Sequence, residues 1–190
     1  MTNLTPPAAT VGYCTNVHAG TDLASIRSNL DQYAVVAREA CGLDELGVGL
    51  WLPAKAAAEL ARDTASFWRF LRGGRVRPFT INGFPYDNFH QPIVKHRVYQ
   101  PTWADQERFD YTCQLADLMA ELLSVQGDEF VGSISTLPLG WPTELSSPGR
   151  LDRAGENLRR LTDHLAELES KSGRRIVVAI EPEPGCQIDT

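Results

Sequence analysis

Carboxylate side chains follow an apolar run near the end of this sequence. Glu181 comes directly after Ile176 to Ile180, five apolar or small residues in a row, and Glu183 follows between two prolines. A carboxylate at the end of a buried strand is costly unless it is paired, hydrogen-bonded or bound to a metal ion. The position of Glu181 therefore predicts a metal-binding or catalytic role, with a structural salt bridge as the alternative. For Glu183, a place in a stiff loop is the structural alternative.

Other polar side chains follow further strand-like runs or lie in the loops after them. His18 and Glu183 are the candidate catalytic groups, because imidazole and carboxylate side chains are common general acids and bases. For His18, the alternatives are a metal ligand and an isolated histidine that caps a strand through a hydrogen bond. The candidate substrate-binding residues are Asn16, Asn82, His90 and Trp141.

Short β-rich runs alternate with longer helical stretches along the chain, and these elements must position the candidate residues. Five strands are predicted, at residues 10–16, 47–52, 77–82, 130–136 and 175–181. Four helices lie between them, at 21–40, from 53 to the glycines at 73–74, from 102 to at least 122, and from 151 to Gly173. In the last helix, leucines and an alanine are spaced three and four residues apart, so they fall on one stripe.

This alternation predicts a parallel α/β sheet, because parallel neighbours need a crossover connection. The fifth run is nearly all apolar, which is typical of a strand covered on both faces. A dinucleotide-binding sheet should carry a glycine-rich turn after its first strand, but residues 16–20 (NVHAG) contain one glycine and a histidine. We therefore expect the N-terminal portion of a (β/α)8 TIM barrel, with about five strands and four helices. It would form a single incomplete domain over residues 1–190, with its chemistry at the carboxyl ends of the strands.

Composition and charge disfavour several other classes of protein. The formal charge of −6 offers little counterion release, so we expect no nucleic-acid binding. No run approaches the roughly 18 apolar residues of a membrane span, and the N-terminus lacks the features of a secretory signal. The four cysteines show no metal-type spacing. Free thiols and a cytoplasmic location are therefore expected.

Four segments of the chain resemble the EboE family of metabolite traffic proteins, a xylose isomerase-like group of TIM barrels. The segments are 12–20 (GYCTNVHAG), 82–86 (NGFPY), 132–141 (GSISTLPLGW) and 181–186 (EPEPGC). The resemblance implies a role in handling or trafficking a bacterial secondary metabolite or its precursor, and hence a small metabolite or sugar-like ligand. In metal-dependent members of the wider group, a glutamate at the end of the fifth strand binds a divalent ion. The resemblance thus implies Glu181 as a ligand of Mn, Zn, Mg or Co.

The resemblance leaves the reaction open. A divalent-metal-dependent sugar isomerase or epimerase is the enzymatic alternative, and an endonuclease IV-like phosphodiesterase is opposed by the acidic charge. Whole members continue through about three further βα units, which supply the remaining metal ligands. We therefore expect residues 1–190 alone to be inactive and to bind no metal tightly. The first and fifth strands would be open edges, which predicts self-association.

Overall fold

A five-stranded parallel sheet organises the chain. The computed structural model describes residues 12–87, 95–124 and 131–187. The strands are β1 (Gly12–Cys14), β2 (Leu46–Trp51), β3 (Val76–Asn82), β4 (Val131–Thr136) and β5 (Arg175–Ile180). Their order in the sheet is β1-β2-β3-β4-β5, and every neighbouring pair is parallel. The predicted α/β class with a parallel sheet is confirmed, and the strand order follows the chain without a reversal.

Helices connect the strands. They are α1 (Leu23–Asn29), α2 (Val36–Ala40), α3 (Ala54–Leu60), α4 (Thr64–Gly74), α5 (Gln106–Ser124), α6 (Pro142–Leu145) and α7 (Arg150–Ser172). A π-helical stretch, Leu30–Val35, joins α1 to α2, so residues 23–40 form one helical segment, as the sequence predicted. Short 3-10 turns occupy Thr15–Val17 and Lys95–Tyr99. No helix in the described ranges is both long and apolar enough to cross a membrane.

The helix predicted from residue 53 to the glycines at 73–74 is in fact two helices. α3 ends at Leu60, and the side chain of Asp63 begins α4 by accepting a hydrogen bond from the Ser66 amide at 3.0 Å. An aspartate at this position satisfies amides that the first helical turn leaves free. The periodicity alone did not show the break, because the apolar stripe continues across it.

The predicted end of this helical stretch at the two glycines is confirmed, since Gly74 is the last residue of α4. The left-handed residue that caps the helix is nevertheless Arg75, with φ of 52°, and not a glycine. A Cβ atom on Gly74 would lie 2.9 Å from a methyl carbon of Val35. Gly74 therefore allows close packing of two helical segments.

Within the described residues, the helices cover one face of the sheet and leave the other uncovered. In β4, Ile134 is fully buried, whereas Val131 exposes 54% of its surface; in β5, Ile176 is buried and Val177 exposes 45%. The buried side of the sheet packs against α5, whose core residues include Leu115, Leu118, Met119 and Leu122. The expectation that β5 is covered on both faces was therefore wrong for the described part of the chain.

The opposite face, called here the uncovered face, carries glycines, small or polar side chains, and the exposed apolar side chains of Phe79, Val131 and Val177. A register irregularity between β2 and β3 acts as a bulge, which allows Phe79 and Thr80 to reach the same face. A Cβ on Gly12 would lie 2.8 Å from the Phe79 ring, and one on Gly47 would lie 3.3 Å from it. Phe79 therefore lies across β1 and β2 where neither strand carries a side chain, and it remains 46% exposed.

Candidate functional site at the carboxyl end of the sheet

Three polar residues lie at the carboxyl ends of neighbouring strands and are together called the strand-end site. They are Asn82 on β3, Ser135 on β4 and Glu181 directly after β5. Asn82 pairs with Ser135 in the β3–β4 register. The Glu181 amide donates to the Thr136 carbonyl at 2.9 Å, which extends the β4–β5 ladder by one residue. Ser135 pairs with Ala179 on the uncovered face, and side chains alternate along a strand. The same alternation places Glu181 on this face. The structure therefore brings two predicted site residues, Asn82 and Glu181, to the carboxyl end of the sheet on the same face.

Hydrogen bonds fix the orientation of the Asn82 side chain. Its Oδ1 accepts from the Phe84 amide at 3.0 Å and from the Ser135 hydroxyl at 3.2 Å. One layer below, the Ser133 hydroxyl donates to the Thr80 hydroxyl at 2.7 Å, and Thr80 donates to the Ser133 carbonyl at 3.1 Å. The Asn82 Nδ2 group makes no hydrogen bond to any described residue. Two oriented amide donors are therefore left for a ligand.

The carboxylate of Glu181 has no partner within residues 12–87, 95–124 and 131–187. It is partly buried, and none of the ion pairs or side-chain hydrogen bonds in these ranges involves it. The structural salt bridge that the sequence left as an alternative is therefore not formed by any described residue. The Glu181 carboxylate and the Asn82 donors are therefore both available, at the ends of the two strands that flank β4.

A second group of side chains, called the loop cluster, comprises Phe84, Tyr99, Trp141, Glu183 and Cys186. The Tyr99 hydroxyl donates to Glu183 Oε2 at 3.4 Å. The Tyr99 ring stacks on Phe84 with centroids 5.5 Å apart, and it meets Trp141 edge-on at 5.7 Å. The loops after β3, β4 and β5 thus meet in one place.

The backbone also ties the loops after β4 and β5 together. The Leu139 amide donates to the Gln187 carbonyl at 2.8 Å, and the Gln187 amide donates to the Gly140 carbonyl at 2.9 Å. Gly185 has φ of 81°, and a Cβ there would lie 2.8 Å from the Trp141 ring. Only a glycine lets this turn pack on the indole without strain.

The loop cluster is electrostatically negative. Burial raises the pKa of Tyr99, and the nearby Glu183 charge raises it further. Burial likewise raises the pKa of the Cys186 thiol, followed by the charges of Glu183 and Glu144. One oxygen of Glu144 accepts from Gln100, and the other is buried without a hydrogen-bond partner among the described residues. Such a site can accept hydrogen bonds, and it disfavours anionic ligands.

His18 and Asn16 lie at the other edge of the sheet, after β1. His18 Nε2 is 2.6 Å from the Tyr13 hydroxyl, and its ring stacks on Tyr33 with centroids 3.9 Å apart. β1 and β5 are separated by four strand spacings, on the order of 15–20 Å at about 4.8 Å each. The structure therefore does not bring His18 and Glu183 together. Asn16 lies in the 3-10 turn at this same edge.

Two further predictions concern His90 and the metal. His90 lies outside the described residues. The described residues contain no group of three or more His, Cys, Asp or Glu side chains placed to hold a metal ion. Glu181 offers one unpaired carboxylate, and a divalent cation needs several ligands. The part of the chain that the structure describes thus offers one ligand and not a complete set.

Several residues of the two groups were not candidates in the sequence analysis: Ser135 of the strand-end site, and Phe84, Tyr99 and Cys186 of the loop cluster. Ser135 had a detectable signal, since it alternates with Ser133 in a predicted strand and so shares a face with it. Tyr99 had none, because its contact with Glu183 depends on the path of a long connection.

In comparisons with known proteins, no family model matches this chain and no curated protein matches it at a significant level.

Proposed function

We propose that this chain forms part of a (β/α)8 barrel whose strand-end site binds a small, hydroxyl-rich metabolite. Sequential order of parallel strands supports the barrel, because a doubly wound sheet reverses its order at a switch point. The described helices all lie on one face of the sheet, which also supports the barrel, since a barrel keeps its helices outside. The uncovered face then corresponds to the barrel interior.

One observation carries the binding proposal. Asn82 Nδ2 and the Glu181 carboxylate are a donor and an acceptor without partners in the described chain, and they lie at the carboxyl ends of β3 and β5, on either side of β4. A hydroxyl group both donates and accepts hydrogen bonds, so a ligand with several hydroxyls that reaches across the end of β4 suits this pair. The rings of Tyr99 and Trp141 add apolar contact area nearby, as is usual in small-molecule sites.

The biological role we propose is the handling or trafficking of a bacterial secondary metabolite or its precursor. The resemblance to the EboE family supports this role, because all four of its segments lie at the carboxyl ends of strands. Small-molecule sites in barrels occupy that end of the sheet. The net charge of −6 and four unpaired cysteines support a cytoplasmic protein that does not bind nucleic acid.

Ligand-observed NMR tests the binding proposal. The probes are a panel of neutral monosaccharides, linear polyols and sugar phosphates. We expect saturation transfer to at least one neutral probe, and its loss in the double variant Asn82→Ala, Glu181→Gln. Glu169→Gln, an exposed change on α7, serves as the control and should retain binding. The proposal fails if no probe receives saturation, or if the double variant binds as the wild type does.

A divalent-metal-dependent sugar isomerase or epimerase is the second candidate, and the unpaired Glu181 carboxylate favours it. Glu181 would supply one ligand, and the metal would polarise a substrate oxygen. Titration of the 190-residue chain with Mn, Zn, Mg and Co tests whether Glu181 binds a metal in this part of the barrel. We expect no tight binding; tight binding that Glu181→Gln abolishes would favour the enzyme.

A further inference from the structure

Arg108 is a completely buried cation in the first turn of α5, with 0% of its surface exposed. Its Nε donates to the Pro101 carbonyl at 3.0 Å, and its Nη1 donates to the Gly83 carbonyl at 2.8 Å. The guanidinium carbon lies 5.5 Å from the Tyr86 ring centroid and 5.4 Å from that of Tyr111. Backbone carbonyls and aromatic rings thus surround this charge.

No carboxylate in the described ranges forms an ion pair with Arg108. The neighbouring Asp105 is bound by Arg150 at 3.0 Å, and Arg108 Nη2 is buried without a hydrogen-bond partner among the described residues. Burial lowers the pKa of Arg108 to about 10, so the group remains charged at neutral pH. A buried cation without a counter-ion is costly, and an apolar side chain of similar volume is often at least as stabilising. Stability alone does not account for an arginine here.

The two carbonyls that accept hydrogen bonds from Arg108 belong to Gly83, at the start of the connection from β3 to α5, and to Pro101, near its end. Phe84 follows Gly83 directly, and Tyr99 precedes Pro101 by two residues. The rings of Phe84 and Tyr99 stack on each other. Both side chains belong to the loop cluster, so Arg108 fixes the backbone on either side of it.

We infer that Arg108 is the positioning residue of the candidate site. Its two hydrogen bonds to the backbone at the ends of the β3–α5 connection, called here the Arg108 clasp, hold Tyr99 against Glu183 and Trp141. This inference rests on the proposed function for its biological meaning, while its geometry is independent of any ligand. A planar guanidinium directs two N–H groups to two separate carbonyls. A lysine retains the charge and offers no such fork, so Arg108→Lys separates geometry from charge.

The indole N–H signals of an amide-correlation NMR spectrum test the clasp. Trp51 Nε1 donates to the Pro85 carbonyl at 3.0 Å, and Trp141 contacts Tyr99, so both report on the connection. Trp68 lies on α4 beside Arg72 and serves as an internal reference. In Arg108→Lys we expect the Trp51 and Trp141 signals to shift or broaden, and the Trp68 signal to stay. Unchanged Trp51 and Trp141 signals would overturn the inference.

Arg27→Lys is the matched control variant. Arg27 also lies over two aromatic rings, Phe67 and Phe70, each at 5.7 Å, and it donates to Ser66 at 3.1 Å. It bridges α1 and α4, away from the β3–α5 connection. We expect this variant to leave the Trp51 and Trp141 signals in place. If it moves them as Arg108→Lys does, the effect is a general loss of packing and the clasp is rejected.

Hydrogen exchange of the wild-type chain gives a second test if Arg108→Lys does not fold. The Phe84 amide is bonded to Asn82 and the Gln100 amide to the Arg97 carbonyl, one at each end of the connection. A clasp makes the two ends open together, so their protection should agree within about tenfold. Exchange of Gln100 more than about a hundredfold faster than that of Phe84 would contradict it. Neither test requires a ligand, so failure of the clasp and failure of the binding proposal are distinguishable.

Discussion

The hydroxyl of Tyr99 donates to Glu183 Oε2 at 3.4 Å, across 84 residues of sequence. This bond joins the connection after β3 to the loop after β5. The packing of Gly185 on Trp141 joins the loops after β4 and β5. Three successive loops therefore form one unit at the carboxyl end of the sheet, beside the strand-end site.

Replacing Glu183 by glutamine should make Cys186 more reactive. Burial is the first cause of the raised pKa of Cys186, and the negative charge of Glu183 is the second. Removing that charge lowers the thiol pKa, so more thiolate is present at pH 8.5, and we expect alkylation to speed up by about two- to fivefold. Mass spectrometry after timed iodoacetamide treatment measures the rate at Cys186. Glu169→Gln is the control; equal rates in wild type and Glu183→Gln would refute the prediction.

Replacing Glu181 by glutamine should weaken ligand binding and leave the free energy of unfolding nearly unchanged. The carboxylate has no partner in the described chain, so its loss should change the free energy of unfolding by less than about 0.5 kcal/mol. Binding of a hydroxyl-rich probe should nevertheless weaken by about tenfold or more, because a charged acceptor becomes neutral. Urea unfolding and probe titration measure the two effects. A loss of several kcal/mol would instead show that Glu181 is part of a structural network.

Tyr111 should make the protein sensitive to alkali. It is buried, its hydroxyl donates to the Leu52 carbonyl, and burial raises its pKa well above the usual value of about 10. The unfolded chain therefore loses this proton first as pH rises. The contribution of Tyr111 to the free energy of unfolding is complete below pH 10. It falls above pH 10 by up to about 1.4 kcal/mol per pH unit.

Comparison of wild type with Tyr111→Phe isolates this effect. At pH 8 the variant should be less stable by about 1–2 kcal/mol, because the Leu52 carbonyl loses its donor. Above pH 10 the difference in unfolding free energy should shrink, as only the wild type then loses stability through this tyrosine. Urea unfolding from pH 8 to pH 11 provides the measurement. A difference that stays constant over this range would contradict the assignment.

Gly132 should be required for the packing of α5 on β4. A Cβ there would lie 2.7 Å from Met119 Cγ and 2.9 Å from Leu123 Cδ1. We expect Gly132→Ala to cost about 1–3 kcal/mol through overpacking. Gly73 is the matched control, since a Cβ at that helical position meets nothing within 4 Å. Thermal unfolding of Gly73→Ala should show a gain of about 0.5–1 kcal/mol; a loss at Gly73 or tolerance at Gly132 would be the contrary result.

The uncovered face should cause the 190-residue chain to self-associate. Phe79, Val131 and Val177 expose 46%, 54% and 45% of their surfaces on this side of the sheet or at its edge, and apolar patches of this kind favour association. We expect light scattering to give a mass that rises with protein concentration. Val177→Lys should shift the distribution toward the monomer by placing a charge in the patch. A wild-type chain that stays monomeric over a wide concentration range would count against the prediction.

Local sequence patterns determined most of the secondary structure. The run from Arg175 to Ile180 became β5 and the leucine stripe after Arg150 became α7, because propensity and periodicity act over neighbouring residues. The alternation of elements also determined the parallel sheet, since parallel strands need crossover connections. The positions of Asn82 at the end of a strand and of Glu181 directly after one were predictable for the same reason.

Only the tertiary structure decided which side chains meet. It placed His18 against Tyr13 and Tyr33 at one edge, away from Glu183 at the other, and it brought Tyr99 to Glu183 through a connection held by Arg108. These contacts depend on strand order and on long-range packing, which no local pattern encodes. It also left one face of β5 exposed within the described chain, because coverage of an apolar strand depends on what packs against it and not on its own composition.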